Sequence, residues 1–338
     1  MVEPIYLIVI ALGTAFFLGL LRKRGTVLQA ALTLAALAGM IFISGQWAWG
    51  IISGTVGGTD IFTAGMTPPL SINLYMGKAE AVLLLIVNSA AFLSTMYLSR
   101  EHKKTSGYMF MLLLVFVMGL NGIILTRDLF NLFVFIEIVS IASAGLIALK
   151  SDIKQLGAGF KFIIAGALAS GLMLIGIIFT YYTTGSLNID VISGMMTPAL
   201  ASTGSIGLFL VFIGVILELK PFPVNGWGLD VYQAAVPPVS AIVSAGTATA
   251  MFYAFTKITA MTGGIFINAS TYIGAITFVG MNILALKQKS SGRLLGYSSI
   301  SQIGLLVMTY ALMKPAAAEK TELILFGLLV THALAKAG

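Results

Sequence analysis

Residues 159–183 read GFKFIIAGALASGLMLIGIIFTYYT, a continuous apolar run with one charged side chain, Lys161, near its start. A helix of about 20 apolar residues is long enough to cross a lipid bilayer. Similar runs recur along the whole chain, which has 338 residues, 58% of them hydrophobic and only 9% charged. We therefore predict an all-α fold, a polytopic membrane helical bundle with about eleven transmembrane helices.

Composition also excludes several classes of protein. So few polar residues cannot cover a soluble enzyme or a nucleic-acid-binding protein, and nucleic acid is not expected as a partner. The apolar runs are continuous, whereas the strands of an outer-membrane barrel alternate apolar and polar residues. The chain has no cysteine, which excludes thiolate zinc sites and iron–sulfur clusters, and we expect no cofactor and no metal. The predicted spans cover residues 4–21, 27–49, 79–99, 107–126, 128–149, 159–183, 204–220, 237–262, 269–287, 294–313 and 321–337.

Basic residues predict the orientation of the chain, because short cytoplasmic loops carry an excess of Lys and Arg. With an external N-terminus, twelve of the 19 Lys and Arg residues fall at inner ends of spans and five at outer ends. We therefore predict a multi-pass protein of the cytoplasmic membrane whose N-terminus lies on the outer side. The inner group is Arg22, Lys23, Arg24, Arg100, Lys103, Lys104, Lys150, Lys154, Lys161, Lys287, Lys289 and Arg293, and the outer group is Lys78, Arg127, Lys257, Lys314 and Lys320.

One integral membrane domain is predicted over residues 1–338, in contact with the lipid bilayer. Its parts are peripheral N-terminal helices over 1–105, a helix bundle over 106–262 with a broken helix near 220–228, and the start of a second, incomplete bundle over 263–338. Two outer loops are also predicted, residues 46–77, partly helical along the interface, and residues 184–202.

Five ionisable residues fall inside predicted spans, namely Glu137, Glu218, Lys220, His332 and Lys336. Insertion into a membrane costs roughly 2.5–3.5 kcal/mol for an Asp, Lys or Arg at a helix centre, so such residues usually mark an ion or proton path. Glu137 lies about ten residues into its span, roughly 15 Å along a helix and near the midplane. A structural glutamate that is hydrogen-bonded across helices is the alternative.

Glu218 and Lys220 precede a break in the seventh span. Pro221 and Pro223 are followed by two glycines, and a helix cannot continue through them after Leu219. Broken backbone at membrane depth is tolerated beside protein or a wet cavity, and transporters use charges at such breaks. The alternative is a cytoplasmic helix end whose long side chains reach water.

The last predicted span carries His332 and Lys336 four residues apart, hence on one helix face, where both can carry protons. Lys336 reaching water near the end of the chain is the alternative. Lys161 is either an inner anchor or the start of a proton pathway. A polar stripe in the tenth span is predicted to make helix–helix hydrogen bonds, with a proton wire as the alternative; it consists of Tyr297, Ser298, Ser299, Ser301 and Gln302.

These motifs together resemble a known family. The resemblance is carried by six segments: the run Asp128 to Glu137, the run from Lys161, the stretch Pro223-x-x-x-Trp227-x-x-Asp230-Val-Tyr-Gln, Pro237-Pro-Val-Ser-Ala, the stripe around Gln302, and His332-x-x-x-Lys336. Over roughly residues 70–338, the chain resembles the antiporter-like subunits shared by respiratory complex I, Mrp-type cation/proton antiporters and membrane-bound hydrogenases.

The resemblance implies a mid-membrane axis of Glu, Lys and His residues, in which the fifth-helix glutamate pairs with a seventh-helix lysine. It also implies partners, namely other membrane subunits of a large complex, including a further antiporter-like subunit. The chain departs from the family pattern where Glu218 occupies the lysine position, where Thr249 replaces an eighth-helix lysine, and where Gln302 replaces a histidine. The family also continues to about fourteen spans, so an exit half is missing from this sequence.

The main functional hypothesis is a proton-translocating subunit, with coupling to Na⁺ left open. Glu137 would be the gating carboxylate, Lys220 its partner and Glu218 a modulator of the pair, while His332 and Lys336 would carry protons along the axis. The alternative is a structural membrane subunit that does not pump. A redox enzyme is a third class, but no flavin, haem or nucleotide motif supports it, and the chain is not expected to be catalytic alone.

Overall fold

The computed structural model describes residues 1–21, 25–63, 65–68, 71–100, 107–149, 152–197, 204–313 and 318–337. Seven of the predicted anchors lie outside these ranges: Arg22, Lys23, Arg24, Lys103, Lys104, Lys150 and Lys314. The described residues are almost entirely helical, apart from one small β-hairpin.

The first half of the chain folds into helices α1 (Tyr6–Leu20), α2 (Thr26–Ile52), α3 (Lys78–Arg100), α4 (Gly107–Leu125), α5 (Leu129–Ala148), α6 (Ile153–Thr184) and α7 (Ile189–Gly194). Helices α1 and α2 pack against α3 and α4, and α5 packs between α4 and α6. Helix ends follow ordinary capping chemistry: the side chain of Asp128 accepts a hydrogen bond from the backbone N–H of Asn131 at 2.8 Å and so begins α5. Gly185, with a φ of 69°, ends α6 in the left-handed conformation.

Residues 46–77 were predicted as an outer loop that is partly helical. Helix α2 does extend through residue 52, but the described residues beyond it form a β-hairpin instead of a helix. Strand β1 (Thr59–Phe62) pairs in antiparallel register with β2 (Asn73–Met76). An isolated bridge joins Leu74 to Thr126, and a second joins Asp128 to Asn188. Five elements therefore lie together at one end of the bundle, which we call the Arg127 end: the hairpin, the start of α3, the end of α4, the start of α5, and α7.

The second half contains α8 (Ser205–Glu218), α9 (Gly226–Ala234), α10 (Pro237–Ile242), α11 (Ala248–Met261), α12 (Ile267–Ala285), α13 (Ser291–Leu312) and α14 (Ala318–Ala337). A π-helical turn, Val243–Thr247, joins α10 to α11. Non-helical backbone separates α8 from α9, as the two prolines predict. The predicted seventh helix is therefore discontinuous.

Small residues let helices α12 and α13 approach each other closely. A Cβ atom built on Gly274 would lie 2.7 Å from the backbone oxygen of Gly304, and one built on Gly304 would lie 2.7 Å from the backbone nitrogen of Phe278. Glycine at such a crossing permits the close backbone contact that drives helix association in membranes.

Among the described residues, eight helices are long and apolar enough to cross a membrane. Three shorter apolar helices accompany them, at Tyr6–Leu20, Ile206–Glu218 and Leu323–Lys336. The prediction of an all-α, polytopic membrane bundle is therefore confirmed.

Candidate functional site

Glu137 lies on α5, two turns beyond the capped end of that helix, and its side chain is half-buried. Ser140 follows one turn later on the same face of α5. No ion pair within 4 Å joins Glu137 to another described residue. The described part of the structure thus leaves Glu137 without a direct cationic partner.

Glu218 is the last residue of α8, and its side chain is buried, with 4% of its surface exposed. Gly166 of α6 leaves room for it: a Cβ atom there would lie 3.6 Å from Glu218 Oε1 and 3.3 Å from Ser140 Oγ. Glu218 Oε1 has no hydrogen-bond partner among the described residues. A buried carboxylate oxygen without a donor is costly, and such exceptions point to water, an ion or a proton at the site.

Lys220 occupies the break itself, with left-handed backbone at a φ of 59°. Its ammonium donates to the backbone oxygen of Glu218 at 3.2 Å and lies over the rings of Trp227, at 5.0 Å, and Phe162, at 5.8 Å. Gly228 is required here, because a Cβ atom on it would lie 2.6 Å from the Cδ of Lys220. The structure does not form the predicted ion pair between Lys220 and Glu137.

A small cavity of about 20 Å³ opens between Glu218, Lys220 and the hydroxyl groups of the second half. This volume is enough for one water molecule, which needs two or more polar partners. Its polar lining comes from Glu218, Lys220, Tyr232, Ser244 and Ser299.

Three hydroxyl groups on the far wall of this cavity form a closed triangle. Tyr232 of α9 donates toward Ser244 Oγ at 3.2 Å and Ser299 Oγ at 3.1 Å, and the two serine oxygens lie 3.0 Å apart. Ser244 lies in the π-helical turn, a distortion that is frequent at functional sites. Hydroxyl groups both donate and accept, so the triangle can pass a proton in either direction.

Beyond the triangle lie His332 and Lys336 of α14. The imidazole of His332 is buried beside the backbone of Ser244, and its Nδ1 lies 2.7 Å from Gln302 Oε1, which can only accept. Its Nε2 has no hydrogen-bond partner among the described residues. The half-buried Lys336 donates to Ser298 Oγ at 2.8 Å.

The residues of the polar stripe on α13 make two kinds of contact. Ser298, Ser299 and Gln302 contact residues of the axis, whereas Ser301 accepts a hydrogen bond from Asn282 of α12 at 2.6 Å and serves helix packing. Thr249, at the position where the family has a lysine, is fully buried, and its Oγ1 has no partner within the described part of the chain.

Lys161 lies away from this axis. Its ammonium is 2.6 Å from Asp230 Oδ2, and its side chain is 62% exposed. Arg293 approaches the other oxygen of Asp230 at 3.7 Å. Exposed ion pairs contribute only about 0–1 kcal/mol to stability. This ion pair lies near the start of α6, at the end of the bundle opposite Arg127.

Sequence reasoning did not single out three polar residues that the structure places in buried clusters. Tyr232 stood out only as part of a longer motif, and Ser244 carried no signal, because its role depends on the π-helical turn. Lys257 was predicted as an anchor at an outer helix end, but its side chain is only 4% exposed and so does not reach water as an anchor would.

Comparisons with known proteins agree on one family. The sequence profile described as "NADH:quinone oxidoreductase/Mrp antiporter, TM" matches residues 126–338. "NADH-quinone oxidoreductase subunit N" of Desulforudis audaxviator (strain MP104C) is 30% identical to the chain, and the alignment covers 99% of this chain and 68% of that protein. A probable K(+)/H(+) antiporter subunit of Rhizobium meliloti (strain 1021) is 29% identical over 77% of this chain and 50% of that protein.

Solved structures give the same result. A chain of the membrane-bound sulfane sulfur reductase, an archaeal respiratory membrane complex, superposes with a TM-score of 0.88 at 28% identity, covering 99% of this chain and 69% of that one. A chain of the Mrp complex from Dietzia sp. DQ12-45-1b has the same fold, with a TM-score of 0.88 at 23% identity over 100% of this chain and 63% of that chain. The chain spans about half to two thirds of the length of the curated relatives.

Proposed function

Because the chain belongs to the NADH:quinone oxidoreductase/Mrp antiporter transmembrane family, we propose that it translocates protons through a buried polar axis. The axis runs from Glu137 past Glu218 and Lys220, through the hydroxyl triangle, to His332 and Lys336. The chain would act as one subunit of a larger membrane complex, beside other membrane subunits that include a further antiporter-like one. Sodium coupling is an open extension of this proposal.

The observation that carries the proposal is the cavity between Lys220 and the triangle. It joins an acid and an amine at the helix break to three hydroxyl groups, and its volume of about 20 Å³ suits a bridging water molecule. The three hydroxyl groups are joined to one another by contacts of 3.0–3.2 Å, and a water molecule in the cavity would join them to Glu218 and Lys220, so that a proton could pass between these side chains.

Lys220 would be the transfer group of this axis. Among the described residues, no carboxylate lies within 4 Å of the Lys220 ammonium, but charges interact over longer distances where the dielectric constant is low. A change in the protonation of Glu218 would therefore alter the affinity of the Lys220 amine for its proton, which is how a neighbouring antiporter-like subunit would be driven. The left-handed backbone at Lys220 holds the amine at the break, where its hydrogen bond goes to a backbone oxygen.

Replacing Glu137 with glutamine tests the axis. We expect proton translocation by the intact complex to fall by about threefold or more, because the amide keeps the shape of the side chain but cannot ionise. The measurement is the rate of proton transport into proteoliposomes that hold the purified complex. Glu3→Gln, the same change at an exposed residue, is the matched control.

An unchanged rate in an assembled Glu137→Gln complex would remove Glu137 from the pathway. It would favour the alternative function, a structural subunit that does not pump, for which the neutral Thr249 is the supporting observation.

The same proposal places the Arg127 end of the bundle on the outer side of the cytoplasmic membrane, as the distribution of Lys and Arg predicts. The chain has no cysteine, so a single introduced thiol reports its own position. We expect a membrane-impermeant maleimide to label Gly57→Cys in intact cells, because Gly57 is exposed in the link to the hairpin. Lys289→Cys, in the link between α12 and α13, should react only after permeabilisation, and the reverse pattern would invert the proposed topology.

A further inference from the structure

A second buried cluster lies at the Arg127 end, apart from the axis described above. Its centre is Lys257 of α11, whose ammonium donates to the backbone oxygens of Ile123 at 3.2 Å, Ile124 at 2.5 Å and Thr126 at 2.8 Å. No carboxylate of a described residue lies within ion-pair distance of it. These carbonyl groups form the negative end of the α4 dipole, which favours a cation there.

Glu80 of α3 is the acid of this cluster, and it is 2% exposed. Its carboxylate accepts from the backbone N–H of Gly77 at 3.1 Å, from the guanidinium of Arg127 at 3.4 Å and from the hydroxyl of Tyr253. The ring of Tyr253 lies 4.7 Å from the ammonium of Lys257. Tyr253 therefore contacts both groups, the acid through its hydroxyl and the amine through the face of its ring.

The cluster also has a route to water. Arg127 links Glu80 to Asp190 of α7, whose side chain is 60% exposed, at 3.6 Å. The guanidinium of Arg127 stacks on the ring of Tyr75 from the hairpin, with 4.7 Å between its central carbon and the ring centre. Exposure thus rises from Glu80 through Arg127, at 20%, to Asp190.

The opposite side of the cluster points along α11 toward the axis. Thr249, Tyr253 and Lys257 are spaced by four residues and so share one face of the helix. The buried hydroxyls of Thr249 and Thr247 have no hydrogen-bond partner among the described residues. Thr247 ends the π-helical turn that holds Ser244. Unsatisfied buried hydroxyls of this kind are where ordered water bridges polar groups.

We propose that Glu80, Tyr253 and Lys257 form a proton-exchange site through which the axis communicates with water at the Arg127 end. This inference rests on the proposed function, since it supplies that axis with an opening. Lys257 takes up a proton from the axis side and passes one, through a bridging water molecule, to the Tyr253 oxygen. The hydroxyl proton of Tyr253 moves to Glu80 at the same time, and Glu80 releases its proton past Arg127 and Asp190. Each cycle takes up one proton and releases one, and it leaves the three side chains unchanged.

Lys257→Arg is the decisive variant. Arginine keeps the positive charge and the donors that the α4 carbonyl groups need, but it does not give up its proton in proteins. We expect the variant complex to assemble and its transport rate to fall by about fivefold or more. Tyr253→Phe removes only the hydroxyl and should give a similar loss of transport. This variant still tests the proposal if the larger arginine side chain prevents the Lys257→Arg complex from assembling.

A purely structural cluster makes different predictions. If Lys257 only caps α4, then Lys257→Arg and Tyr253→Phe complexes that assemble should transport protons at the native rate, and that result would overturn the proposal. A second readout is the dependence of the transport rate on the pH of the compartment that faces the Arg127 end. Glu80→Gln should flatten this dependence. Its persistence would also count against the site, because the ionisable groups of the cluster outside the proposed relay, Tyr75, Arg127 and Asp190, would then account for it.

Two reference variants separate this inference from the proposed function. Lys78→Met changes an exposed residue two positions before Glu80 and should leave transport unchanged. Lys220→Met tests the axis. If it blocks transport while all the variants at Glu80, Tyr253 and Lys257 remain active, only the exchange site is refuted. If Lys220→Met is also fully active, the proposed function itself fails.

Discussion

Replacing Lys220 with methionine is expected to lower proton translocation by about tenfold or more in an assembled complex. Methionine retains a long unbranched stem, so the packing against Gly228 is largely kept, whereas the contacts of the ammonium with the rings of Trp227 and Phe162 are lost. It removes the amine of a side chain that lines the cavity together with Glu218. The backbone oxygen of Glu218 would lose one hydrogen bond, which costs about 0.5–1.5 kcal/mol, too little to prevent folding.

The measurement is the initial rate of proton uptake into proteoliposomes, normalised to the amount of assembled complex. Lys161→Met is the matched control, because it makes the same change at a side chain that is mostly exposed and pairs with Asp230. Nearly native transport by Lys220→Met, at normal assembly, would refute the proposed axis. A loss in the control as large as the loss in Lys220→Met would point instead to the salt bridges near Asp230.

The helices were largely predictable because hydropathy and proline positions act locally. The predicted span 128–149 matches α5, Leu129–Ala148, and the predicted span 79–99 matches α3, Lys78–Arg100. Pro221 and Pro223 predicted the break after α8, since each removes a backbone donor and excludes helical geometry before it. The family resemblance, which rested on these same motifs, is confirmed by the profile match over residues 126–338.

The candidate site was less predictable, because it depends on contacts between distant parts of the chain. The hydroxyl triangle joins Tyr232 to Ser299 across 67 positions, and Glu80 meets Tyr253 across 173. Serine and tyrosine are common in membrane helices and carry no signal of their own. Lys257 shows the same limit: a lysine near a helix end is usually an anchor, and only the fold shows that the end of α4 covers it.

The unusual backbone conformation of Lys220 could not be predicted from the sequence either. Lys220 has a φ of 59°, which few residues other than glycine adopt. The sequence indicated where the helix breaks, but it did not indicate that the break turns the lysine toward its own chain at the Glu218 carbonyl. The predicted pair with Glu137 followed from the family pattern, and the backbone turn removes Lys220 from that position. The ammonium instead lies over the rings of Trp227 and Phe162, while the side chain lines the cavity.

Glu218→Gln is the second change with a large expected effect, a fall in transport of about tenfold or more. Glutamine has almost the same shape, so the packing against Gly166 and Ser140 should remain. The amide cannot take up or release a proton, and it removes the negative charge next to Lys220. Glu218→Asp, which keeps the acid on a shorter stem, is the matched variant and should retain more activity than Glu218→Gln.

Stability is expected to move in the opposite direction to transport. The buried carboxylate oxygen of Glu218 lacks a hydrogen-bond donor among the described residues, and removing an uncompensated buried charge is neutral or stabilising. The Glu218→Gln complex should therefore show an equal or higher midpoint of thermal unfolding than the native complex while it transports slowly. A lowered midpoint would mean that the carboxylate holds helices together, and the transport defect would then follow from misfolding. If Glu218 serves proton transfer, its replacement should lower transport without lowering the stability of the complex. Replacing a residue that serves packing would lower both.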